Sequence, residues 1–235
     1  SEMCIRDSSS AGRFDPCLGK AVALWDVGQR SSPPLAHSIA SFAGRGLYRA
    51  LEVDRSAGTT AVRLHEPDVS IDLGGIGKGW GVDRAVRALR DWGIRDGLVN
   101  LGGDLYALGN SNDGDPWRVG VRDPNDPQRL AEEIPLSESA LATSGDYEQF
   151  FTHDGRRYHH ILDAITGEPA RAGVRSITVA HDRCAVADAC ATAVFSVPLA
   201  HVPTVLSQTA KGAVLVHSVE KSKTETNHTP DVRTE

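Results

Sequence analysis

The chain has 235 residues, 40% of them apolar and 24% charged, a balance that supports a buried core and excludes wholesale disorder. Its formal net charge of -6 argues against a dedicated nucleic-acid binder, whose contact face would be basic. No stretch approaches the roughly 18 consecutive apolar residues that a membrane-spanning helix needs.

The opening SEMCIRDSSSAG has no initiator Met and no apolar run, and does not read as a signal peptide. Ser1 to Ser10 read as a foreign or disordered start. GRFDPCLGKAVALWD then has the composition of folded chain, so one domain is expected over 11–219, followed by a polar tail over 220–235. Val69 to Leu73 alternates apolar and polar residues and predicts a short strand. The turn Gly74 to Gly79 follows, and Val82, Val86, Leu89 and Trp92 recur at helical spacing, with Gly93 as the stop signal. Leu98 to Leu101 and Leu105 to Leu108 predict strands around Gly102-Gly103-Asp104, and Trp117 to Val121 predicts another. Glu148 to Thr152 and Arg157 to Ile161 flank His153-Asp154-Gly155, a hairpin signal. Arg175 to Ala180 predicts a strand, Cys184 to Val197 a helix closed by Pro198, Val202 to Gln208 a short helix and Ala213 to His217 a last strand. Strands outnumber helices and hairpins sit beside helices, the pattern of an α+β or mixed α/β domain.

The cysteines, Cys4, Cys17, Cys184 and Cys190, contain no C-x-x-C pair. Their scatter argues against a zinc knuckle or a disulfide framework and leaves one bridge open.

Three segments carry chemical promise. In Asp72-Leu-Gly-Gly-Ile-Gly-Lys78-Gly the glycines let the backbone approach a ligand, and the helix start offers N–H groups to a phosphate. The spacing matches neither the P-loop nor the dinucleotide fingerprint, so a tight strand-to-helix turn explains it equally well. Asp188 and Thr192 lie four apart on the alanine-rich helix and share a face, as hard oxygen donors suited to magnesium or calcium. Alone, the pair reads more readily as a surface Asp and a Thr bonded back to its helix. In Tyr158-His159-His160-Ile161-Leu162-Asp163 strand alternation sends His159 and His160 to opposite faces, so they cannot chelate one ion together. His160 and Asp163 also diverge unless the strand ends between them.

Taken in order, the stretches FDPCLGKAVALWD, IDLGGIGKGWGVDRAV, VNLGGDLYALG, ATSGDYEQFF, YHHILDAITGEPA and AVADACATAVF resemble the ApbE family of FAD:protein FMN transferases, from about Arg13 to Val216. The resemblance implies a single-domain α+β, T-fold-like core with mixed or antiparallel strands. It implies FAD as substrate, magnesium as metal, and transfer of FMN to a threonine hydroxyl of an acceptor protein with release of AMP. Acceptors of the family include subunits of membrane redox complexes such as the sodium-pumping quinone reductase. By position, Asp188, Thr192 and the Gly75 carbonyl look like magnesium ligands. Asp72, Lys78 and Ile161 look like flavin contacts, and Arg13, Phe14 and Asp15 match an FAD-contacting segment. His160 matches the histidine expected to act in catalysis, as base for the threonine. Ser144, Gly145 and Asp146 match a turn near the site. Family members usually extend further at the N-terminus, with a secretion or lipoprotein signal that implies a periplasmic or membrane-anchored setting. Here Gly77 stands where many members have Ala, Cys17 where Thr is common, and Ala164-Ile165 where Pro-Arg is common. A magnesium-dependent FAD pyrophosphatase and a non-catalytic flavin binder are the alternative functions.

Overall fold

The computed structural model describes residues 12–198, apart from 56, 57, 127 and 172, together with 202 and 214–218. The expected foreign start, the polar tail, Cys4 and all of the short helix expected at Val202 to Gln208 except Val202 lie outside the described residues.

A five-stranded antiparallel sheet is the frame. It holds β3 (Gly97–Leu101), β4 (Asp104–Leu108), β7 (Ser139–Gly145), β12 (Val174–His181) and β13 (Val214–Ser218), in the order β13-β12-β7-β4-β3. Two helices cover one face, α3 (Gly77–Asp91) and α4 (Cys184–Phe195). Tyr106, Leu108 and Ala140 meet Val82 and Val86 of α3, while Ala142, Ile177 and Val179 meet α4. Alternation sends Leu105, Ala107 and Leu141 to the other face, onto Val119, Val121 and Leu136 of the hairpin β5 (Trp117–Arg122) and β6 (Leu130–Leu136). Every residue of α4 except Thr192 is buried, which fits its near-continuous apolar sequence.

The N-terminal part adds α1 (Gly19–Trp25), α2 (Ala36–Ala40), a short 3₁₀ turn (Leu47–Ala50) and the hairpin β1 (Leu51–Asp54) with β2 (Ala61–Leu64). It shares a core with the hairpin β8 (Phe150–His153) and β9 (Arg156–His159) and with the short pair β10 (Leu162–Asp163) and β11 (Glu168–Pro169). Trp25 anchors that core, donating its indole N–H to Gly167 O at 2.8 Å and stacking on Tyr158. The β8–β9 turn is as expected: Asp154 and Gly155 both have positive φ (49° and 73°), the geometry of a two-residue hairpin loop. Cys17, Cys184 and Cys190 are buried thiols.

Neither α3 nor α4 is capped by its own N-cap side chain. Each borrows a carboxylate from the other. Asp188 Oδ2 accepts the Gly79 N–H at 3.0 Å near the start of α3. Asp83 accepts the Cys184 and Ala185 N–H groups, at 2.7 and 3.1 Å, at the start of α4. Four orphan donors open every helix, and three of these eight are satisfied across this crossing. The helices come this close because Gly79 has no side chain: a Cβ there would lie 2.4 Å from Cys184 O and 2.8 Å from Ala185 Cα.

The strand expected over Val69 to Leu73 does not form. Ser70 makes only an isolated bridge with Leu18, and the local backbone is tied to the segment before α1 through Gly19 N to Ser70 O and Asp72 N to Pro16 O. Asp72 Oδ1 then takes the Gly74 N–H at 2.6 Å, which bends the chain into the α3 turn. The helix after it stops at Asp91, and Trp92, expected on its apolar face, is its 87% exposed C-cap. Gly93, at φ 80°, ends it as expected. Helix α4 closes at Phe195, short of the expected Val197. The hairpin β1–β2, strand β6 and helices α1 and α2 have no counterpart among the expected elements.

Removing the Asp83 caps by Asp83→Ala is expected to destabilise the fold by about 1–2 kcal/mol, the range for a lost N-cap. Gly79→Ala is expected to cost about 2–3 kcal/mol, because its methyl meets backbone that cannot give way. Urea midpoints of the two variants against the parent check both.

Candidate functional site

The glycine turn, the start of α3, the end of β7, the β9–β10 connection and the middle of α4 converge on one open cavity of about 1040 Å³. That is the upper end of the range for cofactor pockets. Phe14, Asp15, Asp72, Gly75, Lys78, His160, Ile161, Asp188 and Thr192 all line it. Among the site residues expected from the sequence, Arg13 alone is not in the lining. It pairs with the buried Asp163 carboxylate, whose other oxygen takes the Ile165 N–H at 2.9 Å. Asp15 touches the cavity, but its oxygens accept the Cys17 and Tyr48 N–H groups at 2.9 and 3.0 Å, so its carboxylate organises the entry segment.

Gly75 and Thr192 are in intimate contact: a Cβ at Gly75 would fall 2.9 Å from Thr192 Cγ2, 3.2 Å from its Oγ1 and 3.0 Å from Phe14 Cε2. Only glycine lets the turn lie flat on α4. Ser144, at the end of β7, sets its hydroxyl 3.1 Å from that of Thr192. Its neighbour Asp146 turns away into an ion pair with Arg175 at 2.8 Å, a role in the scaffold.

Beside this contact sits a charge cluster. Lys78 Nζ is ion-paired with Asp104 and lies 3.6 Å from Asp188 Oδ1. Both carboxylates are almost fully buried. One ammonium faces two carboxylates, so the cluster lacks positive charge. Burial, and then the Asp104 charge, pushes the Asp188 carboxyl up to about 6. For Lys78, burial acts downward, but the Asp104 hydrogen bond and the two carboxylate charges prevail and raise it.

Asp104 is the member that sequence reasoning missed, having been read only as part of a turn. Its signal was present: it opens a strand whose residues are all buried, and a charge in such a strand needs a partner.

Among the described residues no three His, Cys, Asp or Glu side chains gather as a metal-binding group. The donor types here, a buried carboxylate, a hydroxyl and a glycine backbone pressed against it, nevertheless fit magnesium. That ion takes one or two carboxylates and completes its shell with water or phosphate oxygens. The unmet negative charge of Asp104 and Asp188 is the observation that favours a cation there.

The two histidines separate as alternation demands. His159 is core: Nε2 donates to Ala170 O at 2.9 Å, Nδ1 accepts the Ile161 N–H at 3.3 Å, and the ring packs edge-on against Phe195. His160 follows the last residue of β9 and faces the cavity. Its Nδ1 lies 3.3 Å from Gln149 O, and a carbonyl only accepts, so Nδ1 carries the proton. Nε2 keeps its lone pair. Burial lowers the pKa of His160, which holds the ring neutral at pH 7.

The model of the ApbE family matches residues 6–216. The chain is 36% identical over 182 residues to an FAD:protein FMN transferase of Vibrio cholerae, covering 77% of this chain and 54% of that one. It is 36% identical over 200 residues to one of Treponema pallidum, covering 79% and 55%. The chain thus spans about half the length of these curated relatives. Among solved structures, the ApbE protein of Thermotoga maritima superposes with a TM-score of 0.77 at 32% identity, covering 92% of this chain and 75% of that one. The flavin transferase ApbE from Vibrio cholerae gives 0.77 at 30% identity, covering 92% and 68%.

Burial lowers the pKa of both histidines. The unfolded chain, with ordinary values near 6.5, therefore binds protons more readily than the fold does. Their contribution to stability is intact above about pH 6.5 and is lost as pH falls below it. The urea midpoint is expected to drop on acidification from pH 7, and His159→Gln should flatten part of that slope. Equal slopes in parent and variant would count against His159 as a source.

Proposed function

The chain belongs to the ApbE family, and from that premise we propose that it transfers FMN from FAD to a threonine hydroxyl of an acceptor protein, releasing AMP. The observation that carries this reading is the convergence of separate motif stretches on one cavity: the glycine turn, the Asp188–Thr192 helix and His160. The names of the relatives at 36% identity support it. The acceptor in this proposal is a subunit of a membrane redox complex, met on the periplasmic or membrane-anchored side.

In the proposed reaction FAD lies in the large cavity, with Phe14, Asp72 and Ile161 against it. Asp188, Thr192 and the Gly75 carbonyl would hold magnesium, which neutralises charge on the transferred phosphoryl oxygens when bound. Lys78 adds a fixed positive charge on the same wall, held there by Asp104. His160 Nε2 takes the proton of the threonine hydroxyl. The threonine oxygen forms a bond to the FMN phosphorus, the anhydride P–O bond breaks, and AMP leaves with the electron pair. The neutral tautomer at His160 suits this role, because the nitrogen not bonded to Gln149 is the one able to accept.

The test mixes the protein with FAD, magnesium and a flavin-accepting domain of a quinone-reductase subunit. Chromatography follows FAD, FMN and AMP, and in-gel fluorescence follows the acceptor. AMP with a fluorescent acceptor is expected; AMP with free FMN and a dark acceptor would favour a pyrophosphatase, and untouched FAD would count against catalysis. His160→Ala should lower turnover by about 10²–10⁴-fold, the usual worth of a general base, with FAD affinity retained. Asp188→Ala should abolish magnesium-dependent turnover. It should also remove the rise in melting temperature that magnesium gives the parent, a readout independent of activity.

A further inference from the structure

A second, smaller cavity of about 240 Å³ adjoins the first. Val22, Gln149 and His160 line both. Ala23, Asp26, Val27 and Gly28, from the end of α1 and the loop after it, belong to the smaller one alone. His160 therefore stands where the two spaces meet.

The floor of the smaller cavity is built in advance. Trp25 is 1% exposed and hydrogen-bonded to Gly167 O. Asp26 closes α1 by donating its N–H to Val22 O at 2.9 Å, and its own carbonyl accepts the Gln29 and Arg30 N–H groups at 2.9 and 3.0 Å. A surface fixed before its partner arrives loses little entropy on binding. The cavity's lining combines the aliphatic Val22, Ala23 and Val27 with the polar Gln149 and His160, and the exposed Asp26 adds a negative charge.

A group transfer to a protein needs two ways to the reacting phosphorus, one for the flavin donor and one for the acceptor. The larger cavity is the one with room for FAD. The smaller one holds only side chains from a short length of polypeptide, and it opens onto the imidazole that would receive the hydroxyl proton. We propose that this cavity, bounded by Ala23 to Gly28, is the docking surface for the threonine-bearing segment of the acceptor, an extended stretch that is uncharged or basic where it passes Asp26. The proposal rests on the FMN-transfer reading and adds to it the path by which the second substrate enters.

Gly28 supplies the test. It has no positive φ, and a Cβ there would meet nothing within 4 Å, so the fold tolerates a large side chain at the edge of the cavity. Gly28→Trp and, independently, Ala23→Arg are compared with the parent, with Ser32→Arg as a surface control. Three quantities are read: FAD affinity by flavin fluorescence, binding of the dye-labelled acceptor domain by anisotropy, and transfer kinetics. The two cavity variants should keep FAD affinity and raise both the acceptor Kd and the acceptor KM by about tenfold or more, a loss of roughly 1.4 kcal/mol. The control should match the parent. Acceptor binding unchanged in both cavity variants overturns the proposal, as does a parent protein that does not bind the acceptor domain, or variants that lose FAD affinity as well. A parent that binds the acceptor but transfers no flavin defeats the transfer reading alone, and the docking surface still stands if the variants weaken that binding.

Discussion

The crossing of α3 and α4 is the contact on which the site depends. Each helix completes the other's N-terminus with a carboxylate, and a glycine lets their backbones touch. Asp188 takes part twice, since one oxygen caps α3 while the other faces Lys78. The residue placed by the packing is thus also one that lines the cavity. The glycine turn is carried into position by the same helix start, so Gly75 reaches Thr192 because Gly79 reaches Cys184. Stability and chemistry here share one set of atoms.

The buried charges make sense on the same terms. Two buried carboxylates sharing one half-exposed lysine are a poor way to stabilise a fold, because desolvation offsets most of the attraction. Burial, and then the Asp104 charge, raises the proton affinity of Asp188. Asp104, fully enclosed at the head of β4, is the fixed point of this cluster.

Much of this was legible in the sequence, for reasons that differ by element. Periodicity gave α3 from Val82 and Val86 and its end at Gly93, and the Asp154-Gly155 turn announced its hairpin through the one loop geometry those residues favour. Alternation anticipated that His159 and His160 would part, although His160 lies just past the end of β9. Local pattern misled where tertiary bonds decide conformation. Val69 to Leu73 alternates like a strand, yet the segment before α1 and the Asp72 side chain claim its backbone. Trp92 has the spacing of a core residue but falls past the last helical turn. Strand β6 carries Glu132, Glu133 and Pro135, which hide it from propensity; its pairing with β5 shows only in three dimensions. The convergence of Asp104, Lys78 and Asp188 spans the length of the domain, and no window of sequence contains it.

The doublet His159-His160 has a consequence for how the protein tolerates change. His159 is fastened at both ring nitrogens and wedged against Phe195, so it acts as a clamp on the strand immediately before the cavity. The other strand of the ribbon leads into Gln149, whose carbonyl accepts from the backbone N–H and Nδ1 of His160. The tip at Asp154-Gly155 is exposed and open, with nothing near a Cβ at Gly155. A graft, a tag or a longer loop spliced into that tip would lengthen the ribbon at its solvent end, away from His159 and His160 at its base. The hairpin is thus a handle on the fold whose base, through His159 and Gln149, abuts the cavity.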